Sequence, residues 1–309
     1  MSSIERTGPE RRAPRSEHAT ISPEVLEVVH QFARAREEHA LDIRDPHFAS
    51  FTDAERRHDE EYVDKIQGRI QKSDTQNDRE LYTLSSAFEY TAAERINSGA
   101  WFGPDMKAQL TSQYDDLRNG IDLYVESNTS ESTPLGLSVD LTFSRRSEDL
   151  SHKLQSIQSF HLDRGTLAEL RYYKPLGKND SIVAAPLTNL PKVVVAMTRD
   201  RALNAITLLA KKPEDRDSVT GLIMLFQIER QLAAFARYSR ALGKSKKRAA
   251  FEDAAEQYES ALARVRALTD EKLRALQIDR QVMTAYALQD PTTNIVIENL
   301  NNLVESVGG

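Results

Sequence analysis

The sequence predicts an α/β protein: a small mixed β-sheet flanked by helices, with long helical extensions at the N- and C-terminal sides. Three observations carry this. Residues 78–212 switch repeatedly between helical and strand-like apolar spacing. The segment before them, from Ser22, has helical spacing throughout. So does everything beyond Ser218, where Ile223, Phe226, Ile228, Leu232 and Phe235 lie along one helix.

Taken in order, residues 1–21 mix charges with prolines and lack an apolar core, which predicts a disordered tail and no secretory signal. Residues 22–77 form N-terminal helices. Ser22-Pro23 gives a cap and first turn, and Val25, Leu26, Val29 and Phe32 follow at helical spacing. A second helix over 52–70 opens on "DAERRHDEE", a solvated acidic face. The core, 78–212, begins with a helix over 78–97 that ends before Gly99, followed by a packed corner at Trp101-Phe102-Gly103-Pro104. Strands are expected at 121–125 and 135–143. A helix capped by Ser147 then carries Leu150, Leu154 and Ile157 and is broken by Gly165. The stretch 167–174 alternates like a strand, and "KVVVAM" reads as a buried one. Asp200 would cap a helix over 201–212. Residues 213–309 form a helical hairpin, its second arm spanning 246–288 with a Gly-containing link before it, and a short terminal helix from Pro291.

Composition narrows the function classes. The net charge of −6 argues against a protein that coats DNA and leaves room for a local basic patch. With no cysteine, disulfides, zinc-thiolate sites and cysteine nucleophiles are excluded, and a cytoplasmic setting is expected. No run approaches the roughly 18 apolar residues of a membrane span. His58, His152 and His161 have no partner at metal-ligand spacing. Ser144 lacks a nucleophile-elbow context. "RALGKSKKR" lacks the first glycine of a phosphate loop.

Two acids stand in strand-like runs: Asp122 in "NGIDLYVE" and Asp140 in "LGLSVDLTFS". A buried carboxylate is costly unless paired, hydrogen-bonded or metal-bound. The plain reading has Asp122 closing a turn after Gly120 and Asp140 facing solvent. The functional reading starts from the order helix, strand with Asp122, strand with Asp140. That order resembles the α-β-β-β-α-β core of the PD-(D/E)XK nuclease superfamily, with "NGID" in the place of the first acid and "VDLT" in the place of the second. The resemblance implies a metal-dependent phosphodiester hydrolase acting on nucleic acid, DNA ahead of RNA. It implies Mg²⁺ held by Asp122 and Asp140, and a lysine beside them. The lysine place two residues after Asp140 is Thr142 here. The superfamily's lysine can move to a neighbouring helix, which points to Lys153, with Lys174 as second choice. An upstream Glu often completes the set. On the helix whose stripe is Leu81, Leu84, Phe88, Ala92 and Ile96, Glu89 falls at the border and Glu94 on the far side, so Glu89 is chosen.

A separate electrostatic signal is "RYSRALGKSKKR". It holds Arg237, Arg240, Lys244, Lys246, Lys247 and Arg248 without an acid, as a phosphate-gripping turn or as a solvated one. The rival to the enzyme is a non-catalytic binding or scaffold protein that keeps the fold. It would use its C-terminal helices for a partner protein or for self-association, with no membrane role.

Overall fold

The computed structural model describes residues 21–73, 75–127, 136–143, 147–175, 185–213 and 218–307. The expected tail, apart from residue 21, lies outside them. So do Ser144 and most of the turn between the two acid-bearing strands. Ser22 caps α1 (Pro23–His39), its hydroxyl accepting the Val25 N–H. Helices α2 (Asp53–Ser73) and α3 (Gln76–Asn97) follow. The acidic start of α2 is solvated as expected, except that Asp59 is buried.

The sequence reading misses β1 (Met106–Leu110) and α4 (Gln113–Asn119). β1 alternates Met106, Ala108 and Leu110 with Lys107 and Gln109 but over only five residues, and α4 spans seven. Ser112 caps α4, and Gly120 ends it in the left-handed conformation at φ 58°. Strands β2 (Leu123–Ser127) and β3 (Gly136–Thr142) sit close to expectation, so Asp122 stands one residue ahead of its strand. After α5 (Ser147–Phe160) the expected strand over 167–174 shrinks to β4 (Ala168–Leu170). It pairs with β5 (Leu187–Leu190), which sequence reasoning also misses. β6 (Lys192–Ala196) is the buried strand anticipated. α6 runs Arg199–Lys211, and its cap is Thr198, not Asp200, which lies in the first turn.

The C-terminal hairpin is α7 (Ser218–Lys246) and α8 (Ala249–Leu276). Gly243 is inside α7, and the link is Lys247-Arg248. The expected arm over 246–288 is two helices, because Gln277 turns left-handed and Asp279 caps α9 (Arg280–Ala287). The terminal segment is a full helix, α10 (Pro291–Glu305).

The main sheet has the order β1-β2-β3-β6. β1, β2 and β3 form an antiparallel meander, and β6 runs parallel to β3. Leaving aside α4 and the β4–β5 hairpin, the frame α3-β1-β2-β3-α5-β6 reads helix, three strands, helix, strand. The pairs Leu123–Val139 and Val125–Leu137 lie on one face and are buried. By strand alternation the other face carries Tyr124, Ser138, Asp140 and Lys192 in register. One step beyond the assigned register, Asp122 faces Asp140, with its N–H on the Val139 carbonyl.

The β6 edge is closed by α7. Gln231 donates to the Val194 carbonyl and accepts the Val194 N–H; Gln227, one turn earlier, does the same for Ala196. Both glutamines are buried. A side chain thus stands where a fifth strand would pair, which satisfies an otherwise open edge. Replacing Gln231 with Leu strips both partners from buried Val194. We expect a loss of about 2–4 kcal/mol in a denaturant titration; an unchanged midpoint would show that the edge finds other partners.

Candidate functional site

Charged side chains from α1, α3, α4, β3, α5 and β6 converge where β2 begins. Glu89, on the inward side of α3, is buried. So are Asp122 and Asp140. Carboxylate oxygens of Glu89, Asp116 and Asp122 all lie within 4.8 Å of one another. Asp116 comes from α4, whose short length turns consecutive acids to different neighbours. Asp115 accepts the backbone N–H groups of Arg171 and Tyr172, the Ser112 hydroxyl and the Asn119 amide. Asp116 points into the cluster.

Arg36 of α1 ties the cluster together. Its Nε donates to Glu89 Oε2 at 2.8 Å and its second nitrogen to Asp116 Oδ2 at 3.0 Å. The guanidinium is 2% exposed. Asp140 Oδ1 receives the Lys153 ammonium at 2.5 Å. Lys192, at the head of β6, donates to the Asn119 carbonyl at the end of α4. Gly120 is required here on two counts. Its φ suits glycine, and a Cβ would stand 3.0 Å from Lys192 Nζ and 3.7 Å from Asp140 Oδ2. Asp116 and Lys153 are the open side of the cluster, their side chains 25% and 38% exposed.

The electrostatics follow from this crowding. Burial, then the charges of Glu89, Asp116 and Asp140, push the Asp122 carboxyl well above its usual range. Burial also raises Glu89 and Asp116, against the pull of Arg36 on both. The Asp116 carboxylate, close enough to share one cation with Asp122, adds to the upward push on it. Burial works against the Lys153 charge, but Asp140 and Asp122 outweigh it and raise its pKa. For Lys192 burial wins and the pKa falls.

All four expected residues, Glu89, Asp122, Asp140 and Lys153, therefore meet. The expected ligand pair changes, however. Asp140 is held by Lys153, and the acids that could share one cation are Glu89, Asp116 and Asp122. Lys174 is elsewhere, 3.7 Å from Asp45. Thr142 offers no charge in the place of the lysine. Sequence reasoning missed Asp116, Lys192 and Arg36. A signal for Arg36 existed: it follows Phe32 by four residues on the buried stripe of α1. Three hard carboxylate oxygens within reach of one another suit Mg²⁺ or Mn²⁺.

The basic run 237–248 departs from expectation. It is the last turns of α7 plus the link, and α8 brings acids to it. Arg240 pairs with Glu252 and Glu259, both at 2.6 Å. Lys246 and Arg248 lie over the Phe251 ring. Arg237, Lys244, Lys246, Lys247 and Arg248 are exposed.

The raised acids set a pH dependence. A carboxyl whose pKa is higher folded than unfolded binds more protons in the native state, so stability falls as pH rises from about 4 through the raised value. We expect the melting temperature of the cation-free protein to drop as pH rises above the ordinary carboxylate range. Asp122→Asn should flatten that drop and raise the melting temperature at pH 8, since the amide oxygen can keep the Leu141 N–H bond at 2.6 Å without the charge. A melting temperature rising with pH there would contradict the assignment. No family model, curated protein or solved structure matches the chain.

Proposed function

We propose that the protein is a metal-dependent phosphodiester hydrolase of PD-(D/E)XK-like build, acting on nucleic acid in the cytoplasm, with DNA ahead of RNA. The observation that carries this reading is the convergence of Glu89, Asp122, Asp140 and Lys153 from α3, the head of β2, β3 and α5. The helix, three strands, helix, strand frame supports the same reading.

Glu89, Asp116 and Asp122 would hold the cation. A bound divalent ion there would stabilise charge on phosphoryl oxygens and acidify a water. The protein's own groups do the rest. Arg36 fixes the Glu89 and Asp116 carboxylates. Lys153, on the open side, meets the substrate phosphate and neutralises charge on its oxygens. Asp140, held by Lys153, would accept the proton of the attacking water as its oxygen bonds to phosphorus and the scissile P–O bond breaks, the leaving oxygen departing with the negative charge. Lys192 holds the end of α4 and offsets the acids from behind.

The scaffold reading is favoured by one specific observation: Arg36 already compensates two of the three acids, so the cluster could serve only to fix α1 and α4. A single assay separates the two. Supercoiled plasmid, single-stranded DNA and RNA are incubated with Mg²⁺, Mn²⁺ or EDTA. We expect cation-dependent cleavage, reduced about 10²–10³-fold by Lys153→Met and abolished by Asp122→Asn. Intact substrate under every condition would leave the scaffold.

The exposed cations at the α7–α8 link give a further test. Reversing Lys246, Lys247 and Arg248 to Glu should weaken nucleic-acid binding and flatten the slope of log affinity against log salt, since fewer counterions are released. Equal slopes for native and reversed protein would remove this surface from the interface.

A further inference from the structure

A cavity of about 260 Å³ lies on the polar side of the sheet, beyond the acid cluster. Tyr124, Tyr173, Asn189, Gln257 and Ser260 line it with Gly136, two leucines and the charged side chains of Glu126 and Arg264. Tyr124 is two residues from Asp122 on the same sheet face, about 7 Å along the strand. The cavity therefore lies at about the reach of a nucleotide from the acids.

The lining is specific in chemistry. The Tyr124 and Tyr173 rings meet edge to face, centroids 5.2 Å apart and planes at 79°. Together they make an aromatic corner. Tyr124 is buried and the Tyr173 hydroxyl is committed to Glu126, so Tyr173 offers ring surface more than a polar contact. Asn189 and Gln257 add amide groups that both donate and accept, and Ser260 adds a hydroxyl. Gly136 leaves the corner open: a Cβ there would stand 3.1 Å from the Tyr124 oxygen and 3.2 Å from Leu190.

The backbone supplies an independent mark. Between the pairs Ala168–Leu190 and Leu170–Leu187, β4 advances two residues and β5 three. The extra residue makes a bulge, and Asn189 within it takes φ 62°, rare for a side chain other than glycine. Bulges redirect side chains, and this one adds the Asn189 amide to the cavity wall.

We propose that this cavity is a nucleobase pocket, which takes one base of the nucleic acid whose phosphate lies at the acid cluster. Aromatic walls with amide donors and acceptors fit a flat heteroaromatic ring with a hydrogen-bonding edge, as when a base leaves its stack for a protein pocket. The inference rests on the nucleic-acid reading above and adds the origin of base preference.

The test is calorimetric titration with each of the four ribonucleoside monophosphates, using ribose 5-phosphate as control. At least one mononucleotide should bind and the sugar phosphate should not. Asn189→Gly, which suits the local φ, and Gln257→Ala, on the exposed side of α8, should each weaken that binding about fivefold to tenfold while the melting temperature holds. Ser260→Trp should abolish it by filling the cavity. No mononucleotide binding, binding equalled by ribose 5-phosphate, or binding unchanged in all three variants would overturn the pocket. Plasmid cleavage is scored in parallel. Nucleotide binding without cation-dependent cleavage would sustain the pocket and sink the hydrolase; cleavage without nucleotide binding would do the reverse.

Discussion

The position of α1 and α4 against the sheet depends on one buried guanidinium. Arg36 crosses from α1 to Glu89 on α3 and Asp116 on α4, and is closed off from water. Removing one partner of such a group leaves an uncompensated buried charge, which typically costs about 3–5 kcal/mol. Without Arg36, Glu89 and Asp116 would have to protonate or repel Asp122. Aromatic packing reinforces the same arrangement, with Phe32 against Tyr90 across the α1–α3 contact. The cluster is thus a structural joint as well as a candidate site, and both readings of the protein start from the same atoms.

The other constraint is the closed edge of β6. In a four-stranded sheet with β1 at one margin, β6 at the other must be covered or it will pair with another chain. Gln227 and Gln231, one helical turn apart on α7, meet alternate residues of the strand. Their spacing along a helix, about 6 Å for four residues, matches the roughly 7 Å between Val194 and Ala196 along a strand. Trp101 sets the approach at the other end of α7: a Cβ on Gly221 would come within 2.8 Å of it. The long C-terminal helices are therefore fastened to the sheet by a glycine contact and two amides.

What the sequence made legible tracks the length and periodicity of each element. α1, α3, α5, α7 and the runs at β3 and β6 carry enough apolar positions to show their period, and they fall close to expectation. α4, β4 and β5 are too short for periodicity to show, and β1 alternates over only five residues. Missing α4 is costly, because Asp116, the third acid of the cluster, then has no place in the fold. Glu89, Asp122, Asp140 and Lys153 were reachable because each sits in a well-defined element beside an apolar stripe. Lys192 was masked by the apolar run that it opens. Arg36 lies 53 residues from Glu89 and 80 from Asp116, a distance over which local patterning says nothing. The acids opposite the basic run were hidden for the same reason: the stretch has none of its own, and folding supplies Glu252 and Glu259.

Asp115 and Asp122 show how a buried acid with a structural task differs from one whose charge is left to something else. Both are buried, and burial raises both. Asp115 receives two backbone N–H groups, a hydroxyl and an amide, so its two oxygens are well supplied with donors and need nothing further. Its work is to hold the strand-side backbone at Arg171 and Tyr172 against α4. Asp122 has the Leu141 N–H, with the charges of Glu89, Asp116 and Asp140 around it. Hydrogen-bond donors lower a buried carboxyl, and neighbouring acids raise it further. Donors from α4 and from the backbone after β4 thus satisfy Asp115, while Asp122 lies among acids that Arg36, Lys153 and Lys192 offset in part. A carboxyl raised by burial and neighbouring acids costs stability as pH rises and it must ionise. A structural account covers Asp115 through its donors; Asp122 differs in having acids for neighbours, the feature on which the proposed cation site is built.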